Sequence, residues 1–446
     1  MLLFFNKLES NEHIFCQKSF HDLFVFTVAA VTFVIGIVYS FYLGNSLSWP
    51  DERDYISLAR SMMENHIYSI DGIHPTARRA PGLPFILYII FQLGGEILHV
   101  RLFQFALYSL SILLIFQLLK SWRLIFAGVL ASILIPCYPV LFYLTGTLYP
   151  QSLASFLFII VFVMLFKKNT PVWQTAVAGF FFGYLVLTVP TFLVLAPLFL
   201  TSPWLLKYKS PLSSALIFIF FFFSVLAPWV YRNYSVFDKF VFVSANSGLA
   251  LIQGNSVAAH PEVWWVDISQ YQAIAFAECG VPCQGLTAKE AHIRAPEFDA
   301  SLRVQAIHWI VANKIKAFKL YALKFLHHFD FSNQLYSSTH SALWKDLLIL
   351  VTYYPLLALS IFRLLAKGRN LGLLEIYIST AYLLFAMGHA IFITRIRLRL
   401  PLDWVMICLA AIQIQEFCYR YMGQGDPSGP PDLKKMLETR KGHRAQ

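Results

Sequence analysis

The chain has 446 residues, of which 58% are hydrophobic and 17% aromatic, against only 13% charged. A soluble domain carries about 25% charged residues, so this chain cannot cover a water-exposed surface, and its mean hydropathy of +0.60 marks a polytopic membrane protein. Disorder, a coiled coil and a disulfide scaffold are excluded, the last because six cysteines are too few; the net charge of +11 is no nucleic-acid signal, because the basic residues sit mostly at the ends of apolar runs, where they set topology.

The first apolar run, 23–44, follows Lys7 and Lys18. It is longer than the core of a secretory signal and has no small-residue cleavage site, so it reads as a retained helix with its N-terminus in the cytoplasm. Further runs of spanning length lie at 102–119, 124–142, 150–166, 172–188, 191–206, 213–231, 343–362, 373–394 and 400–417. Together they predict an all-α bundle of about ten spans. Pro190 and Pro197 interrupt the pair between 172 and 206. The run 84–93 is too short to span and reads as an interfacial or re-entrant helix.

Basic clusters follow alternate spans: Lys120 with Arg123, Lys167 with Lys168, Lys207 with Lys209, then Arg363, Lys367 and Arg369. A basic tail closes the chain. Both termini are then cytoplasmic. The expected organisation is a cytoplasmic N-terminus (1–22), a membrane module (23–231) carrying a first outer loop (45–101), an outer-face loop domain (232–341), C-terminal membrane helices (342–419) and a disordered cytoplasmic tail (420–446). The turn 395–399 breaks the charge rule by placing Arg395, Arg397 and Arg399 outside. The cores of the spans are nearly free of ionisable groups, which disfavours an ion-coupled transporter.

The first outer loop opens Trp49-Pro50-Asp51-Glu52-Arg53-Asp54-Tyr55, with helical character through residue 65. Pro50 suits a first helical turn. Asp51 and Asp54, three apart, share a face, and either could serve as a general base, with Glu52 as the third candidate. Arg53 or Arg60 is the expected partner holding Asp51 ionised. An ordinary acidic helix N-terminus accounts for the same spacing. The loop closes with Arg78-Arg79-Ala80-Pro81-Gly82. Two outward arginines suit a phosphate, although snorkelling side chains would look the same. Joined with Arg395, Arg397 and Arg399, they suggest one anionic site in the outer leaflet. Asp403, one turn beyond Arg399, is placed to orient it.

Taken in order, these stretches resemble the GT-C membrane glycosyltransferases, in particular the protein mannosyltransferase and aminoarabinose transferase group. The resemblance rests on Asp51-Glu52 with Tyr55 and Ala59, on Arg79-Ala-Pro-Gly, on Tyr231-Arg232-Asn233-Tyr234, on Ser244-Ala-Asn246-Ser-Gly248 with Gly254-Asn255, and on Arg397-Leu398-Arg399-Leu400-Pro401. It implies a transferase that takes sugar from a polyprenyl-phosphate donor on the outer face of the cytoplasmic membrane, with Asp51 in the place of the catalytic aspartate. The aminoarabinose branch has arginine where this chain has Asp54, and Glu-Lys where it has Arg78-Arg79. These departures leave a divalent metal open but unsupported, with no other cofactor expected, and leave aminoarabinose unsupported as the sugar. The acceptor is a glycolipid, a glycan or a protein, and membrane lipids are partners. A protein O-mannosyltransferase is the alternative enzyme, and a lipid-linked sugar flippase or transporter the alternative outside enzymes.

The long outer loop adds two features. Cys279 and Cys283 are the only close cysteine pair, a candidate disulfide in an oxidising compartment or else two separate thiols. Residues 302–329 place Trp309, Ile310, Phe318, Leu320 and Phe325 among Lys314, Lys316, Lys319 and Lys324, a basic amphipathic helix suited to the membrane surface or to packing within the loop. His327 and His328 are adjacent, a poor spacing for a helical metal site.

Overall fold

A computed structural model describes residues 11–166, 170–262, 266–280, 295–331 and 343–421. Lys167, Lys168, Cys283 and the tail from 422 onward lie outside the described residues. Among the described residues all regular structure is helical. In chain order the helices are α1 (Asn11–Leu43), α2 (Pro50–Glu64), α3 (Gly82–Gln92), α4 (Ile97–Ser121), α5 (Ile125–Leu134), α6 (Pro139–Thr145), α7 (Gln151–Leu165), α8 (Val172–Thr188), α9 (Ala196–Leu205) and α10 (Pro211–Phe237). They continue with α11 (Ser247–Gly254), α12 (Ser269–Glu278), α13 (Ala295–Ala312), α14 (Lys314–His327), α15 (Leu343–Lys367), α16 (Leu373–Ile391), α17 (Ile396–Arg399) and α18 (Asp403–Tyr421).

Each of the ten expected runs is helical, but their lengths differ. Among the described residues six helices are long and apolar enough to cross a membrane: Phe20–Leu43, Ile97–Ser121, Pro211–Phe237, Asp346–Asn370, Leu373–Ile391 and Ile396–Tyr421. The protein is thus a multi-pass membrane protein. The run 124–142 is not one rod, because α5 and α6 meet at a 63° bend. Tyr138 is extended, as a residue before proline prefers, and Pro139 opens the next helix where its missing N–H costs nothing. Helices α7, α8 and the segment Pro190–Leu205 are shorter than 18 residues. The last of these begins as a 3₁₀ turn, Pro190–Leu195, before α9 opens with Ala196 and Pro197.

Backbone closeness and aromatic packing hold the bundle together. A Cβ on Gly179 would stand 2.4 Å from the carbonyl oxygen of Phe218, so α8 and α10 approach as only a small residue permits. Phe158, Phe162 and Phe199 surround one another, and the first two also pack on Trp404 of α18. At one end Arg363 pairs with Glu375 at 2.6 Å and with Glu416, which also takes Lys367 at 3.1 Å. These buried ions tie the C-terminal ends of α15 and α18 to the N-terminal end of α16. Their mutual pairing offsets the cost of burying them.

Between α10 and α15 a second, smaller core gathers Leu251, Ile252, Ile268, Ala275, Leu302 and Ala306. Asp299 of α13 accepts the Gly248 N–H at 2.8 Å and the Leu249 N–H at 3.1 Å, capping α11 from outside. Lys324, one of the four lysines of the basic amphipathic segment, is fully buried. Its ammonium donates to the carbonyls of Gly254 (2.9 Å), Phe392 (2.8 Å) and Ile391 (3.3 Å), where the C-termini of α11 and α16 converge. A Cβ on Gly254 would lie 1.7 Å from the Phe392 oxygen, so only glycine fits this junction. The clamp fixes the end of α16, and with it the start of the arginine turn 395–399.

Candidate functional site

Two buried ionic side chains set the position of α2. Arg101 of α4 donates to the Gly44 and Ser46 carbonyls and, at 2.9 Å, to that of Gly146, holding the turn between α1 and α2. Glu52 accepts the Trp49 N–H at 2.6 Å and the Leu148 N–H at 2.8 Å, fastening the first turn of α2 to the strap before α7. Asp51 and Asp54 are left on the neighbouring face.

Arg79 joins these two carboxylates. Its Nη2 donates to Asp51 at 2.7 Å and to Asp54 at 2.6 Å, while its Nε donates to Asp54 at 3.1 Å. The Tyr68 hydroxyl donates to the Arg79 carbonyl at 3.0 Å and so steadies the loop that carries the guanidinium. From the other end of the chain, Arg397 Nη2 donates to the second Asp51 oxygen at 3.2 Å. The Tyr149 hydroxyl donates to that same oxygen at 3.1 Å. The Arg397 guanidinium lies 4.7 Å from the centre of the Tyr149 ring, a cation–π arrangement. Asp51 therefore has three partners, from the first loop, the α6–α7 strap and the turn before α18. Asp54 shares only the first.

The cluster is partly open. The side chains of Asp51, Asp54, Arg79 and Arg397 keep between 19% and 29% of their surface accessible. Burial alone would raise the Asp51 carboxyl; the charges of Arg79 and Arg397 and the hydrogen bonds outweigh it and hold the group below the usual carboxylate range. Burial, and then the neighbouring Arg397 charge, push the Arg395 guanidinium down to about 8. Cations crowded in this way gain from any additional anion.

The remaining candidates fall elsewhere. Glu52 is fully buried and its oxygens are taken by main-chain donors, so it is turned away from Asp51. Arg53 and Arg60, the expected partners of Asp51, are exposed, and Arg79 and Arg397 do their work. Arg78 is exposed beside Arg79. Arg399 is fully buried, donates to the carbonyls of His328 and Asp330, and lies 3.7 Å from the Tyr353 ring centre. Asp403 does face Arg399, at 3.4 Å, and also accepts the Tyr138 and Tyr382 hydroxyls at 3.0 and 3.1 Å. That group lies in the interior, apart from Asp51. Cys279 ends α12. His328 is buried, and burial pushes its imidazole well below the ordinary value. Among the described residues no three His, Cys, Asp or Glu side chains are grouped to hold a metal. Tyr149, Tyr68 and Arg101 carry no sequence signal beyond their residue type, and only the fold brings them to this place.

Glu52 offers a direct check on the division between scaffold and site. Glu52→Ala removes the acceptor of the buried Leu148 N–H and of the part-buried Trp49 N–H, an expected loss of roughly 2–4 kcal/mol in unfolding free energy. Glu52→Gln keeps one of the two acceptor oxygens and should recover part of that stability along with activity. A Glu52→Gln variant of normal thermal stability but no activity would place this carboxylate in the chemistry instead.

No family model and no curated protein matches the sequence. Among solved structures, the chain is similar to the crystal structure of ArnT from Cupriavidus metallidurans bound to undecaprenyl phosphate, at 13% identity and a TM-score of 0.40, over 88% of this chain and 76% of that one.

Proposed function

We propose that this protein is a GT-C-type glycosyltransferase that moves a sugar from a polyprenyl-phosphate donor to an acceptor hydroxyl at the outer face of the membrane, in modification of an envelope glycolipid or glycan. The observation that carries this reading is the Asp51 carboxylate, ionised and shared between Arg79 and Arg397, residues remote in sequence, just beyond a membrane-spanning helix. A carboxylate beside clustered guanidinium groups matches the two demands of the reaction. The acceptor oxygen attacks the anomeric carbon of the sugar and its proton passes to Asp51. The carbon–oxygen bond to the donor phosphate breaks, and the phosphate departs with the electron pair, its new charge met by arginine.

Arg79 and Arg397 are the phosphate ligands in this scheme, with Arg395 and Arg78 beside them. In the structure both arginines neutralise carboxylates. A donor phosphate competes for them, and as an arginine turns toward it, Asp51 recovers the basicity that ion pairing suppresses. Arg399 and Asp403 support the turn from within. Glu52 supports α2. Asp51 is preferred to Asp54 as the base because it alone of the two is held by both arginines and a tyrosine.

The functional test is mass spectrometry of envelope glycolipids and glycans from cells with and without the protein. A species whose mass falls by one sugar residue on deletion is the expected result, and an unchanged profile in both fractions counts against transfer. The side of the membrane has its own check. A reporter fused after Ser301 should report the outer compartment; a cytoplasmic signal would move Asp51 and its arginines to the wrong face for a lipid-carried donor.

A further inference from the structure

We infer that α14 is an interfacial anchor whose outward face docks on the anionic phospholipid of the leaflet at which α16 ends. The inference does not depend on the transferase reading; it needs only that α16 crosses the membrane.

Helix α14 has two opposite faces. Ala317, Leu320 and Lys324 are buried against the protein. On the other side Ile315 is 87% exposed, Phe318 73% and Leu326 63%. At about 100° per residue, these three fall on one stripe, opposite the buried set. Val311, on the preceding turn of chain, is also exposed. Exposed Lys314 flanks the stripe on one side and exposed Lys316 and Lys319 flank it on the other. The helix contains no acidic residue. An apolar face bordered by lysines on both sides is the arrangement that lies at a headgroup boundary.

The position of the helix decides what covers that face. Lys324 is fixed to the carbonyls of Ile391 and Phe392, and the Tyr321 hydroxyl donates to the Met387 carbonyl at 3.4 Å. α14 therefore lies along the last turns of a spanning helix, at the edge of the bilayer. Met387 and Ile391 are themselves about half exposed, so the apolar surface continues from α16. At that height the stripe meets the upper acyl region and the lysines meet the phosphate layer. Three cations without a carboxylate on the same helix select anionic over zwitterionic lipid.

The test uses the full chain in nanodiscs, with Phe318→Trp as the reporter, read as the difference from the parent protein. Mixed phosphatidylcholine and phosphatidylglycerol discs are prepared with bromine on the upper acyl carbons of one lipid or the other. The added tryptophan should be quenched by both, and more strongly by brominated phosphatidylglycerol. Changing Lys314, Lys316 and Lys319 together to glutamine should remove a phosphatidylglycerol preference of roughly tenfold or more while leaving the shallow quenching in place. No quenching by either lipid would show that the face is covered by something other than membrane. Equal quenching by both lipids, unchanged in the triple variant, would show that the lysines select nothing. Either result overturns the inference, and neither bears on sugar transfer.

Discussion

Asp51→Asn is expected to lower sugar transfer by roughly two orders of magnitude or more while donor binding persists. The substitution keeps the size of the side chain and one acceptor oxygen, and removes the charge that takes the acceptor proton. Donor binding should survive because Arg79 retains Asp54 and the phosphate as partners, and because releasing arginine from a carboxylate favours an anionic ligand. Asp54→Asn should be milder, since it loosens Arg79 without removing the residue that Arg397 and Tyr149 also hold. The roles reverse if Asp51→Asn turns over near normally, or fails only in donor binding, while Asp54→Asn loses transfer. Isothermal titration with polyprenyl phosphate, set beside single-turnover transfer, separates the two outcomes.

The second large effect belongs to the arginines. Arg79→Gln combined with Arg397→Gln should cost roughly 2–4 kcal/mol of transition-state stabilisation, as expected when preorganised donors to a departing oxyanion are lost. The pH profile should shift too. In the intact protein Asp51 titrates below the ordinary carboxylate range, because Arg79 and Arg397 outweigh its burial. The form required of a base is thus present at every pH above that lowered value, and is lost as pH falls through it. Without the arginines burial dominates and the carboxyl rises, so the acidic limb of kcat/KM should move to higher pH. A double variant with full activity would reject the phosphate assignment. One that loses activity with no movement of the acidic limb would separate the arginines from Asp51.

The helical plan was legible because a membrane span needs only length and apolarity, and both can be read along the chain. What escaped was where a span breaks. The run 124–142 looks continuous in hydropathy, yet Pro139 restricts Tyr138 and starts a new helix at an angle of 63°. Within the site, the Asp51–Asp54 face was legible in the helical spacing, and Arg79 and Arg397 stood out in the sequence as members of two basic clusters. The sorting inside each cluster did not. Arg397 and Arg399 stand two apart on one helical turn and so point about 200° apart. One reaches Asp51 while the other is sealed against Tyr353. Arg53 and Arg60 were near Asp51 in sequence but lie exposed, whereas the partner from 346 residues away is delivered by α16, α18 and the Lys324 clamp. Glu52 differs from Asp51 only by its neighbour's rotation, and main-chain donors at Trp49 and Leu148 decide its role.

The most direct measurement is release of polyprenyl phosphate by the purified protein in nanodiscs, supplied with a polyprenyl-phosphate sugar and a delipidated envelope extract as acceptor source. Catalysis by Asp51 predicts extract-dependent release by the native protein, at least one hundredfold slower in Asp51→Asn, with sugar appearing on an acceptor in equal amount. Equal release by the native and Asp51→Asn proteins, or movement of the intact sugar-lipid from one leaflet to the other without cleavage, would contradict it.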